Sequence, residues 1–202
     1  MKICFMRFAI VSDGHLFQSF LKNYDAVEDL RLVLEEIKQD TTIDTLLVAG
    51  DMFDFKKTPG VFLRHYEGEG LMMHVRSALR NFKLPIYCIK GNHEKEEVLQ
   101  SLDQTVNNFN YVRNEWKNFD NVSIYFMDTH FEGDFYEPEV VSEMLHQIPQ
   151  NRNKSETKLL LCHETFEPFE NCIPKDAIRE EKKNFDWILN GHMHFWLFWE
   201  CY

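Results

Sequence analysis

The sequence predicts an α/β sandwich with buried sheets, and three features carry that prediction. Short apolar runs alternate with longer amphipathic stretches, as strands and helices do when they pack in layers. Several of the runs are apolar at every position, which suits strands covered on both faces. The 202 residues are 44% hydrophobic and 27% charged, ordinary figures for a globular chain with one sizeable core.

In chain order, Phe8–Val11, Thr45–Ala49, Pro85–Ile89, Val122–Met127, Leu159–Cys162 and Trp187–Leu189 are the expected strands. Tyr24–Gln39 places Val27, Leu30, Val33, Leu34 and Ile37 at helical spacing, and Leu71–Phe82 does the same with Leu71, Val75, Leu79 and Phe82. The polar stretch Gln147–Thr157 carries Asn151, Arg152, Asn153, Lys154 and Ser155. It is short enough to read as a surface loop before the strand at Leu159. With no repeat or low-complexity segment, the expectation is one domain over residues 1–202. The apolar run Phe195-Trp196-Leu197-Phe198-Trp199 close to Tyr202 points to a truncated chain or to an edge strand covered by a partner.

Composition narrows the function. Lys and Arg total 22 against 33 Asp and Glu, a net charge of −11, which argues against strong nonspecific binding to nucleic acid. Two bound divalent cations would offset part of that charge where a substrate phosphate sits. The apolar runs are too short to span a bilayer, so no membrane association is expected. Arg7 interrupts the first apolar stretch and no cleavage site follows, so no secretory signal is read. Cys4, Cys88, Cys162, Cys172 and Cys201 form no C-x-x-C pair, which favours reduced thiols and a cytoplasmic location.

Polar clusters directly follow the apolar runs: Asp13-Gly14-His15, Gly50-Asp51-Met52-Phe53-Asp54, Gly91-Asn92-His93-Glu94, His163-Glu164 and Gly191-His192-Met193-His194. In open α/β sheets the carboxyl ends of strands converge on a ligand crevice, so these distant groups can meet. Asp, His and Asn offer oxygen and imidazole nitrogen without thiolate, a set suited to manganese, iron or similar ions. One carboxylate can bridge two ions, and a two-metal site clamps the attacking and leaving oxygens of a phosphoryl transfer. Gly50, Gly91 and Gly191 are expected to permit a sharp turn at each strand end.

The ordered set Asp13-x-His15, Gly50-Asp51-x-x-Asp54, Gly91-Asn92-His93, His163 and Gly191-His192-x-His194 resembles the calcineurin-like metallophosphoesterase superfamily. Ser12-Asp13-Gly14-His15-Leu16, Gly50-Asp51-Met52-Phe53-Asp54 and Gly191-His192-Met193-His194 most resemble the SbcD-type DNA repair nucleases, phage versions included. The resemblance implies an α/β metallophosphoesterase sandwich, two central β-sheets flanked by helices, with the final strands and cap missing after Tyr202. It also implies that Asp13, His15 and His194 hold one divalent metal, and Asn92, His163 and His192 the second, with Asp51 bridging. Manganese is the implied ion, with iron, magnesium or zinc as alternatives. His93 would be the proton donor to the leaving oxygen and Asp54 would orient its imidazole. General chemistry agrees, because a charged ring both stabilises and protonates a departing alkoxide.

The function so implied is a two-metal phosphodiesterase that hydrolyses DNA, as exonuclease, endonuclease or both, in repair and recombination. An SbcC-type SMC-like ATPase is the implied partner, and a homodimer is compatible. The alternative is a metal-dependent phosphatase or small-molecule phosphodiesterase on the same scaffold. Glu94 leans that way, since the nuclease branch usually carries Asp there and protein phosphatases carry Glu. Phe55 leans against it, because those phosphatases place an Arg at that position. A scaffold that had lost its metals would show eroded ligands, and all seven are intact. Of the remaining polar residues, His65, His74 and His146 read as ordinary surface or hydrogen-bonded histidines. His130 reads the same way, with a place lining the cleft as the alternative, and Lys56 and Lys57 read as a solvated loop, with contact to a phosphate backbone as the alternative. Cys162 is expected to point inward, and Trp116, Trp187, Trp196 and Trp199 to serve packing.

Overall fold

The computed structural model describes residues 6–16, 26–54, 65–128, 143–151, 157–164 and 184–191. The elements are β1 (Phe8–Val11), α1 (Ala26–Gln39), β2 (Thr45–Ala49), α2 (His65–Asn81), β3 (Ile86–Ile89) and α3 (Glu96–Thr105). They are followed by β4 (Phe109–Tyr111), β5 (Glu115–Phe119), β6 (Val122–Phe126), β7 (Thr157–Cys162) and β8 (Trp187–Asn190). Each of the expected strands and both expected helices is present, with ends shifted by a few residues.

Strands β1 to β4 form a parallel sheet in that order. The second sheet has the order β5-β6-β7-β8. Its first pair is antiparallel, a hairpin turning at Asp120, and the others are parallel. Strand β2 shows why the layers close. All five of its residues are buried, with Leu46 and Val48 facing the helices and Leu47 and Ala49 facing the second sheet. Burying each large aliphatic side chain contributes roughly 1.5–3 kcal/mol, and the strand's two-residue period divides that gain between two interfaces.

On the helix side, Leu34 of α1, Val75 and Leu79 of α2, and Leu99 and Leu102 of α3 pack on Leu46, Val48, Ile86 and Cys88. Between the sheets, Leu47, Ala49 and Ile89 meet Ile124, Phe126 and Leu161. Phe119 presents its ring edge-on to Phe8 and Tyr87, at centroid distances of 5.5 and 5.0 Å. On the outer face of the second sheet Trp116 stacks on Phe185, and its indole N–H donates to the Pro149 carbonyl at 2.8 Å. Cys162 is buried there with Leu160 and Leu145, as the sequence suggests.

The structure adds β4, β5 and α3 to the sequence reading. Strand β4 is three residues long and contains Asn110, and β5 reads Glu-Trp-Lys-Asn-Phe on the edge of its sheet. Polar edge strands of this kind carry no apolar run, which also protects the edge from pairing with other chains. Helix α2 starts at His65, ahead of the expected Leu71. Val33, expected to face the core, is 40% exposed, while Val27, Leu30, Leu34 and Ile37 pack inward. The stretch from Phe195 to Trp199 lies outside the described residues.

Candidate metal centre

The carboxyl ends of β1, β2, β3, β7 and β8 meet at one edge of the sandwich. Beyond β1 and β2 the two strand-end loops continue side by side. The amides of Asp13, His15 and Leu16 donate to the carbonyls of Gly50, Asp51 and Met52 at 3.1, 2.9 and 2.9 Å, and Asp54 returns a bond to Leu16 at 2.8 Å. The amide of Gly191, just past β8, donates to the His163 carbonyl at 3.1 Å.

This path demands left-handed backbone at several points. Gly50 has φ of 84°, and Asp13, His15 and Asp51 have φ of 56°, 42° and 50°. For residues with a Cβ that conformation costs on the order of 1–2 kcal/mol each, and strain of this sort persists only where the surroundings impose it. Of the three glycines expected at the strand ends, Gly50 is the one in left-handed backbone. Gly91 is needed for space, because a Cβ there would collide with the backbone and carboxylate of Asp51.

The side chains converge. His163 Nε2 lies 3.1 Å from Asp51 Oδ2 and 3.1 Å from Asn92 Oδ1. His15 Nε2 lies 3.9 Å from Asp13 Oδ1 and 4.0 Å from Asp51 Oδ2. Asp13, Asp51 and His163 form one cluster whose ligand atoms all lie within 4.8 Å of one another, and His15, Asp51 and His93 form a second. Asp51 belongs to both. His93 Nδ1 sits 3.1 Å from Asp54 Oδ1, and the His93 ring meets His15 edge-on at 4.8 Å. Of the residues singled out from the sequence, Asp13, His15, Asp51, Asp54, Asn92, His93 and His163 are thus brought together. His192 and His194 lie outside the described residues, as do Lys56, Lys57 and His130.

A backbone carbonyl sets the tautomer of His163. Its Nδ1 lies 2.8 Å from the Ala49 oxygen, so Nδ1–H donates there and Nε2 is turned toward Asp51 and Asn92. Three lone-pair atoms facing one another at about this separation require either a proton or a cation between them. Without metal, the proton fills that role. Burial opposes a charge on His163, but the hydrogen bond and charge of Asp51 outweigh it and raise the imidazole to about 9. Burial likewise opposes ionisation of Asp51, and His163 together with the His93 amide brings that carboxyl down to about 2. The donor set, with no thiolate and one shared carboxylate, fits hard or borderline divalent ions.

Two partners of the site have roles that the sequence reading did not assign. Ala49 acts through its carbonyl, which any residue could supply. Glu94 closes the third cluster, yet its carboxylate points away from the ligands and accepts backbone amides from Gly91, Asp51 and Phe53. Ser12 Oγ lies against the Asp13 carboxylate and the Ala49 carbonyl. His74 is exposed on α2, in line with the plain reading of that histidine.

No curated protein sequence matches the chain. Among solved structures, the Pseudomonas putida nuclease MPE resembles it at 15% identity with a TM-score of 0.40, the alignment covering 79% of this chain and 63% of that one. The chain thus spans 63% of the length of that nuclease. The sequence pattern of calcineurin-like phosphoesterases matches residues 6–195, which takes in the fold and every cluster described above. The chain belongs to the calcineurin-like phosphoesterase family.

Proposed function

We propose that this chain is a two-metal phosphodiesterase that hydrolyses DNA. The observation that carries the metal part is the convergence of His163 Nε2, Asp51 Oδ2 and Asn92 Oδ1 at 3.1 Å beside the Asp13–His15 pair. In this reading Asp13 and His15, with His194, would hold one ion, and Asn92 and His163, with His192, would hold the other, with Asp51 shared between them. When bound, the ions supply Lewis-acid polarisation of phosphate oxygens and lower the pKa of water. Manganese is the proposed native ion.

The residues themselves do the rest. Ala49 orients His163, and Asp54 holds His93 through Nδ1, leaving Nε2 to carry a proton to the leaving oxygen. His93 is a quarter exposed, at 25% of its side chain, so substrate can reach it. The DNA part rests on the likeness of 12–16, 50–54 and 191–194 to SbcD-type nucleases and on Phe55 standing where phosphatases carry Arg. The same likeness supports an SbcC-type ATPase as partner, a homodimer, work in repair and recombination, and a cytoplasmic setting for the single domain.

Manganese-dependent hydrolysis of a phosphodiester, a phosphomonoester and end-labelled linear DNA, run in parallel, tests the proposal. A chelator and Asp51→Ala serve as controls. Cleavage of diester and DNA, abolished by both controls, supports the nuclease. Hydrolysis of the monoester alone assigns the chain to the phosphatases, the branch with which Glu94 agrees.

A further inference from the structure

We infer that Glu94 is a positioning residue for the metal centre, holding Asp51 in the left-handed conformation from which its carboxylate reaches both ligand clusters. The inference rests on the metal-centre reading above and is independent of DNA as substrate.

Glu94 is 5% exposed, an unusual place for a carboxylate. Its Oε2 accepts the amides of Gly91 at 2.8 Å and Asp51 at 3.1 Å, and its Oε1 accepts that of Phe53 at 3.2 Å. Among the described residues it has no ion pair with Lys or Arg. Gly50 and Asp51 are consecutive left-handed residues, with φ of 84° and 50°. The amides of Asp51 and Phe53, two residues apart in this turn, both reach the Glu94 carboxylate, as amides of a backbone turn reach a bound anion. Here the anion is built into the chain. A left-handed Asp is disfavoured by its own Cβ, so something must hold it, and the amide that Glu94 grips is Asp51's own.

The clasp is reciprocal. Asp51 Oδ1 accepts the His93 amide at 2.8 Å, so each loop's carboxylate takes an amide from the other loop. Gly91 packs directly on Asp51, and a Cβ would not fit between them. The orientation of Asp51, whose Oδ2 faces both His15 and His163, therefore depends on an acid that supplies no atom to either cluster. Partners of this kind typically alter metal affinity by about 10- to 100-fold when changed.

The test compares wild type with Glu94→Gln, Glu94→Asp and Leu79→Ala, a core substitution in α2 at a residue that makes none of the loop hydrogen bonds, which serves as a stability control. Amide exchange is read residue by residue in metal-free protein. Manganese binding is read by titration and by electron paramagnetic resonance of the coupled ion pair. Glu94→Gln is expected to speed exchange at Asp51, Phe53 or Gly91 by about tenfold relative to the global rate, and to weaken manganese binding by about tenfold or more. It should also lose the exchange-coupled signal. Glu94→Asp keeps the charge and is expected to restore part of both effects, and it carries the test if the Gln variant does not fold. Leu79→Ala should lower Tm and leave the coupled signal intact. Unchanged exchange and affinity in both Glu94 variants would overturn the inference, as would equal changes in Leu79→Ala. A wild-type protein that binds no manganese and cleaves no diester would overturn the metal-centre reading and this inference with it.

Discussion

His163 and Asp51 come from different sheets and meet at 3.1 Å, Nε2 against Oδ2, at the common carboxyl edge of β7 and β2. This single contact joins the two halves of the sandwich at the point where chemistry is expected. Its geometry suits a proton in the metal-free protein and, under the proposed ligand assignment, a cation in the loaded one.

Metal uptake should therefore release a proton. His163 is raised to about 9 by Asp51 despite its burial, so at neutral pH the ring is charged and an ion must displace that proton. Apparent manganese affinity is expected to climb by close to tenfold per pH unit up to about pH 9. Calorimetry in buffers of different protonation enthalpy measures the released proton directly. The sign for metal-free stability follows from the same shifts. The raised His163 stabilises most below its ordinary 6.5 and loses that contribution through about 9. The lowered Asp51 stabilises above its ordinary 3.8 and loses that contribution through about 2. A flat affinity between pH 6.5 and 8.5 would contradict the assignment.

His93→Asn should lower kcat by about 10²- to 10⁴-fold on an alkyl phosphodiester, the range for loss of a general acid. A nitrophenyl diester, whose leaving group needs no proton, should lose far less, and metal content should stay the same. Equal losses on both substrates would remove His93 from the acid role. Asp54→Asn should follow the same pattern more weakly, since Asp54 acts through the 3.1 Å contact with His93 Nδ1.

Glu164 is fully buried, and among the described residues neither carboxylate oxygen has a hydrogen-bond partner. Burial raises it to about 7, against the favourable charge of His163. Its contribution to stability is therefore greatest below its ordinary 4.5 and declines as pH rises through about 7. Glu164→Gln is expected to stabilise the metal-free protein at pH 8 by about 1–3 kcal/mol and to flatten that decline. Thermal melts across pH, in chelator, check both.

Two glycines should respond in opposite ways to alanine. Gly91→Ala drives a Cβ into Asp51 and should reduce both stability and metal binding. At Gly70, inside α2, a Cβ meets nothing within 4 Å, so alanine there should stabilise by about 0.5–1 kcal/mol through helix propensity. Chemical denaturation of the two variants tests the contrast.

Much of the fold was legible because buried parallel strands leave an unmistakable trace. Leu46–Ala49 and Leu159–Cys162 are apolar throughout, and amphipathic α1 and α2 lie between the first three strands. Strand β5 escaped because it is a largely polar edge strand, and helix α3 because its periodicity runs over only ten residues, with Leu99 and Leu102 buried. The candidate site was legible as residue types at strand ends. Its second layer was not, since the Ala49 carbonyl has no side-chain signature and Glu94 works through backbone amides.

The sequence by itself determined which residues could carry the chemistry, because ligand identity is a property of side chains and strand ends are marked by where apolar runs stop. Only the tertiary structure decided how they are aimed. Left-handed Asp13, His15 and Asp51, the Nδ1–H of His163 on Ala49, and the grip of Glu94 on three amides depend on contacts between segments far apart in the chain. Such contacts arise when two sheets pack and fix their strand ends together, and no local pattern of residues encodes them.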